Sequence, residues 1–192
     1  MADTNKIRYG ICNCTYATST ISSTGTATYG SPVSLPGAVS ISLSAEGDTS
    51  PFYADNIVYY TSVANNGYSG ELELAKIPDD FLKDCLGYIA DGNGVLVENA
   101  DASPVNFALM FQFEGDVNRK RTVLYNCVAS RPEIASSTKA EGIEPNTESI
   151  PITATTVYNS GLGKNVVKAS CTETESTAYS SWLTSVYQST ST

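Results

Sequence analysis

The chain contains no histidine. That absence removes the commonest general base, the usual imidazole ligand of a metal, and every serine or cysteine triad built on histidine. Positive charge is scarce: 11 Lys and Arg stand against 20 Asp and Glu, a formal charge of −9. Such a surface repels phosphate as a whole, which argues against tight sequence-specific nucleic-acid binding. No apolar run approaches the roughly 18 residues of a membrane-spanning helix, and Met1-Ala2-Asp3-Thr4-Asn5-Lys6 leads into no apolar stretch of an export signal. The expectation is a protein made in the cytoplasm, neither exported nor membrane-bound. In that setting Asn13-Cys14-Thr15 is an accidental match to a glycosylation sequon.

The cysteines lack the pattern of a disulfide framework. There are 5 of them, at Cys12, Cys14, Cys85, Cys127 and Cys171. An odd count with a C-x-C spacing points to reduced thiols in a reducing compartment. Without histidine a zinc site would need four of these thiolates to converge. Cys85 and Cys127 sit in apolar periodic segments, where a small buried hydrophobe is the better reading. No metal or other cofactor is expected.

Motifs of catalysis and ligand binding fail residue by residue. Gly161-Leu162-Gly163-Lys164-Asn165 resembles a phosphate-binding loop, but Tyr158 stands where its first Gly belongs and Asn165 where Ser or Thr would hold magnesium. Asp91-Gly92-Asn93-Gly94 starts like a calcium loop, yet Val95 replaces a ligand and Leu96 the sharp-turn glycine. Both read as turns. Glu71 and Glu73 lie two residues apart on a strand, so they share its solvent face and do not form an acid and base pair. The 12 Tyr are scattered and form no stacking platform. A cysteine nucleophile would need Lys or Arg activation, and no Cys has such a neighbour in sequence.

What the sequence does have is alternation. In Pro104–Phe113, Val105, Phe107, Leu109, Phe111 and Phe113 recur at every second position, and Thr122–Ala129 holds Val123, Leu124, Tyr125 and Val128. Turn chemistry in Glu114-Gly115-Asp116-Val117-Asn118 joins the two as a hairpin. Further strands are expected at 7–16, 38–44, 57–63, 70–75, 95–98, 149–157 and 166–169. Strands about every ten residues, parted by Gly, Ser, Asn and Pro, suggest a sandwich or barrel. One helix interrupts them near 78–87: Pro78 opens it, Asp79 and Asp80 face the positive end of its dipole, Gly87 closes it, and Phe81, Leu82, Cys85 and Leu86 share its apolar face, packed on the sheet. A weaker helix, or an arm that orders on a partner, is expected at 177–188. The Ser and Thr rich stretches 15–28 and 189–192 read as mobile. The reading is one β domain over 1–170, followed by an arm over 171–192.

The order of segments resembles the major tail protein (tail tube protein) family of siphophages of Gram-positive bacteria, the phi13 type. The resemblance rests on Phe52-Tyr53-Ala54-Asp55-Asn56; Leu72-Glu73-Leu74 followed by Ile77-Pro78-Asp79-Asp80-Phe81-Leu82 and Leu86-Gly87; Gly94-Val95-Leu96-Val97-Glu98; Phe107-Ala108-Leu109-Met110-Phe111; Leu124-Tyr125-Asn126-Cys127; and Thr138-Lys139 leading to Ile152-Thr153-Ala154. These fragments span roughly residues 7–158. Cys12-Asn13-Cys14 and the Ser and Thr rich tail after Cys171 fall outside the pattern.

The resemblance implies a mainly β sandwich or barrel of the tail tube type, with one flanking α-helix and extended N- and C-terminal arms. It also implies assembly in place of chemistry: hexameric rings whose inner strands close a barrel, stacked into a tube that passes DNA without binding it specifically. Partners would be the chain itself and the tape measure, tail terminator and distal tail proteins, in a virion tail put together in the host cytoplasm. If a tube forms, the net charge points to an acidic channel with Glu71, Glu73, Glu114 and Asp116 as its candidate lining. A baseplate hub, a capsid decoration protein or a non-catalytic β-sandwich binding module would share this acidic, β-rich composition.

Overall fold

In a computed structural model, residues 7–136, 138, 146–174 and 177–190 are described. Its first half is all strand: β1 (Ile11–Ile21), β2 (Ala27–Tyr29), β3 (Val33–Ser34), β4 (Ala38–Glu46), β5 (Thr49–Ala54), β6 (Ile57–Val63) and β7 (Gly67–Leu74). Helix α1 (Asp79–Leu86) leads on to β8 (Ile89–Ala90), β9 (Leu96–Val97), β10 (Phe107–Phe113), β11 (Arg121–Ala129), β12 (Glu148–Ala154), β13 (Val157–Asn159), β14 (Lys164–Val166) and β15 (Lys168–Cys171). Lys139 and the last two residues of the 189–192 stretch lie outside the described residues.

One antiparallel sheet organises the chain, in the order β2-β1-β10-β11-β12-β7-β4, with β15 added on β11 and β3 on β1. The expected hairpin is its centre. Leu109 lies opposite Leu124, and Met110 opposite Val123. Since successive side chains point to opposite faces, the first pair enters one core and the second pair another. Residues Phe107 to Gln112 are accordingly all buried.

The first core gathers side chains from β1, β10, β11, β12 and β7, with Ile41 and Leu43 of β4 packed against it. Six strands meet around one cluster only if the sheet curls, and β4 does return alongside β1. Helix α1 closes one end. Pro78 precedes it in an extended conformation (φ −65°, ψ 139°), Asp79 and Asp80 occupy its first turn, and Gly87 ends it at φ 73°, the left-handed geometry that glycine adopts without strain. Phe81 and Cys85 are fully buried, Leu86 is buried and Leu82 is half-buried. The Phe81 ring meets Tyr16 and Phe107 edge-on, with centroids 5.0 and 5.4 Å apart. Tyr16 donates its hydroxyl to Asp84 at 2.8 Å, which ties β1 to the helix.

The second core lies on the opposite face of β1, β10 and β11, and the C-terminal segment covers it. Residues 177–188 form no continuous α-helix: a 3-10 turn at Thr177–Ser181 gives way to turns. Ser and Thr bond their own neighbours, as Ser181 and Thr184 do here, and so compete with the helix ladder. The segment is held by what it buries. Trp182 is 2% exposed and stacks on Tyr187 at 5.0 Å. Arg121 lies 3.9 Å from the Tyr179 ring and donates to the Tyr179 carbonyl at 2.6 Å.

A second departure concerns residues 15–28. Most of that Ser and Thr rich stretch continues β1 to Ile21, turns, and returns as β2, so it is not a mobile loop. β-branched Thr suits a pleated surface, and Ala17 and Ser19 are small enough to be buried beneath the neighbouring elements. The strand starts at Ile11, not at Ile7.

Replacing Phe81 with Ala should destabilise the unassembled subunit by about 3–5 kcal/mol, because the cavity would open between two aromatic rings. Urea unfolding measures it. An unchanged midpoint would mean that α1 is not seated on the sheet.

Candidate functional site

Among the described residues, no three acids or cysteines converge as metal ligands would. All five cysteines are unpaired. Burial pushes the Cys14 and Cys127 thiols up to about 12 and raises those of Cys85 and Cys171, while burial and the Glu114 carboxylate raise that of Cys12. A cysteine nucleophile requires the opposite shift. Three surfaces of the molecule stand out.

The first is the uncovered face of β12, β7 and β4. Leu72 and Leu74 point into the first core, so Glu71 and Glu73 point away from it. Their cross-strand neighbours are Ser42 and Ser40 on β4 and Pro151 and Ser149 on β12. Glu71 accepts from the Ser149 hydroxyl at 2.9 Å, and Glu73 from the Ser40 hydroxyl at 2.7 Å and from Thr147. The hydroxyls of Thr147 and Ser40 hold the Glu73 carboxyl below its ordinary range. This flat face is polar and acidic, with no large side chain among those neighbours. The close approach of β4 is tight: a Cβ on Gly70 would stand 1.9 Å from the Ser42 carbonyl oxygen.

Glu114 and Asp116 stand apart from that face, in the turn between β10 and β11. Glu114 is exposed. Asp116 is buried, 6% exposed, and accepts the Asn118 backbone N–H at 2.9 Å. It is a turn-forming residue. The side chain that an Asp-x-Asn turn folds back on itself was legible in the motif.

The second surface is the β5–β6 hairpin, which pairs with no other strand among the described residues. Asp55 and Asn56 form its tip at φ 52° and 63°, the geometry of a two-residue hairpin turn. Phe52, Tyr53, Ile57, Val58, Tyr59 and Tyr60 are between 50% and 70% exposed. The third is the outer edge of β4, the last strand of the sheet order.

A family model described as phage tail tube protein matches residues 2–191. The chain belongs to that family. It is thus a structural component of the phage virion tail. No curated protein matches it. A chain of the cryo-EM structure of the anti-feeding prophage baseplate, 6-fold symmetrised, is similar over 90% of this chain and 99% of that one, at 9% identity and a TM-score of 0.44. That likeness is too loose to carry an argument.

Sequence reasoning placed Glu71 and Glu73 of this tail tube protein on a strand and expected the strand at 57–63, but missed β5 and with it the hairpin. The signal was present: from Phe52 to Val63 the apolar residues do not alternate with polar ones, so neither face of the ribbon is designed for water. Nor did it register that no Lys or Arg occurs between Arg8 and Lys76, while Arg119, Lys120 and Arg121 are consecutive.

Under native conditions at pH 8, an alkylating reagent should modify the half-buried Cys12 first, with Cys14, Cys85 and Cys127 reacting after unfolding. Raised thiol values leave less thiolate at that pH, which reinforces their burial. Intact mass without reductant should reach five adducts in denaturant; two disulfides, or fast native labelling of Cys85, would contradict the structure.

Proposed function

We propose that this protein self-assembles into closed six-subunit rings that stack into the tube of the tail, and that the face bearing Glu71 and Glu73 lines the channel through which DNA passes. The observation that carries this reading is the unfinished sheet. Strand β4 ends the sheet order with its outer edge unpaired among the described residues, beside a face with no covering layer. An open edge of nine residues is a template for pairing with another chain. Pairing it with a neighbour related by rotation closes a ring and leaves no edge over, which makes the contact directional and finite.

The polar face then has a use that its composition suits. A conduit must not hold its cargo, and carboxylates repeated around a ring repel phosphate. Ser40, Ser42, Ser149 and Thr153 keep that wall flat and hydrophilic without adding positive charge. Assembly takes place in the host cytoplasm, where five free thiols stay reduced. The tape measure, tail terminator and distal tail proteins are the partners that would fill and cap such a tube.

Electron microscopy of the concentrated, purified protein should show rings or tubes. Strictly monomeric sedimentation with neither form seen would overturn the proposal. Replacing Glu71 and Glu73 with Lys should leave the subunit folded, since both are exposed strand positions, and should slow DNA delivery at low salt more than at high salt. Delivery at the native rate at both ionic strengths would remove the acidic face from the channel.

A further inference from the structure

We propose that the β5–β6 hairpin of one subunit seats its apolar side chains in a cavity of its lateral neighbour, within one ring. The inference rests on the ring reading above. It begins from a hairpin that cannot stand alone. A two-stranded ribbon in water is marginal, and this one carries Phe52, Tyr53, Val58 and Tyr60 in the open with no sheet or helix against them. The base of the ribbon is nonetheless fixed. Ala64 donates to the Asp48 carbonyl at 3.0 Å and Asn66 to that of Glu46 at 2.9 Å, so the hairpin continues the β4–β7 ladder outward. A patch of this size on an anchored arm marks a contact surface.

The complementary surface lies at the open end of the first core, the end that α1 does not close. There a cavity of about 240 Å³ is floored by Leu43, Tyr68, Phe111 and Phe113 and rimmed by Arg8, Lys120 and Lys168. The rim cations lie against the floor: Lys168 Nζ is 4.5 Å from the centre of the Tyr68 ring, and the Arg8 guanidinium is 4.5 Å from that of Phe113. One acid, the buried Asp116, shares the lining. The cavity is smaller than the roughly 300 Å³ at which small-molecule sites begin, and suits protruding side chains better than a cofactor. Its charge answers that of the hairpin, which has Asp48 at its base, Asp55 at its tip and no Lys or Arg. In a chain of net charge −9, a cationic rim around an apolar floor is a local exception. Opposite potentials of this kind steer and orient a contact.

Position selects the neighbour. The cavity is lined by Leu43 of β4 and Tyr68 of β7, and the hairpin leaves from Glu46 and Gly67 of those two strands, so both features sit at one end of the ribbon. Translating a copy along these strands would bring the hairpin to the other end, near Gly37 and Ala75. A rotation that keeps the copies level brings it to the cavity. Such a contact is heterologous, one patch meeting a different patch, and it closes at a fixed number of subunits.

The test is photo-crosslinking of the full-length protein. Benzophenone groups are placed in two separate variants, at Tyr60 and at Asp55, both exposed. Isotopically light and heavy copies are mixed before assembly, irradiated, and mapped by mass spectrometry. The expected result is light-to-heavy crosslinks whose partner peptide contains Leu43, Tyr68 or Phe111–Phe113. Rings or tubes whose crosslinks fall on Pro78–Leu86, or stay within one copy, would overturn the lateral contact and leave the ring reading standing. Absence of both assembly and light-to-heavy crosslinks would overturn both.

Discussion

Every backbone N–H and C=O at the end of a sheet must find a partner, whether water or another strand. In this protein that requirement falls on β4. It is nine residues long, carries alternating Ser and aliphatic side chains, and has no proline or lysine of the kind that normally blunts an exposed edge. The molecule solves the problem elsewhere. At the opposite end of the sheet, β2 is followed by the bridge from Thr26 to Tyr158 and by the C-terminal segment, so that end is wrapped. One end of the sheet is thus wrapped, while the outer edge of β4 is left for a strand of another copy.

The rest of the architecture serves that asymmetry. The β10–β11 pair is buried on both faces and acts as the rigid spine. Beneath it α1 seals one end of the first core through Phe81, and above it Trp182 and Tyr187 seal the second core. Neither covering layer extends over β12, β7 and β4, where the outward side chains are Ser, Thr, Glu and Pro. The molecule is thus well packed around its two cores and bare over the face proposed to meet DNA. The charge is divided in the same way: the stretch from residue 9 to 75 has acids and no Lys or Arg, while Arg8, Lys120 and Lys168 gather at the mouth of the first core.

Local signals in the sequence carried the elements further than the surfaces. The β10–β11 hairpin and α1 were legible because period-2 alternation, turn residues and a Pro-to-Gly frame all agreed there. The continuation of β1 to Ile21 was hidden because its buried positions are Ala17 and Ser19, small residues that look like loop composition until a neighbour covers them. The C-terminal segment was ambiguous for a related reason. Its Trp182 and Val186 have helical spacing, yet the Ser and Thr between them favour turns, and only packing on Tyr125 and Met110 decides the outcome. Of the four acids read as one group, Glu71 and Glu73 share a face, while Asp116 turned inward to hold a turn. Glu71 and Glu73 share a face by their i, i+2 spacing, but the serines that hold them come from 33 and 78 residues away, and no local pattern encodes those pairings.

The central claim is that neighbouring copies complete the sheet at β4 and cover the β5–β6 hairpin. Amide hydrogen exchange, compared between the dispersed subunit and the assembled protein, addresses it most directly. The account predicts that the amides of residues 38–46 directed away from β7, and those of residues 49–63, exchange fast in the dispersed subunit and become strongly protected on assembly, while those of β10 and β11 are protected in both states. Fast exchange at residues 38–46 and 49–63 in the assembled protein would contradict it.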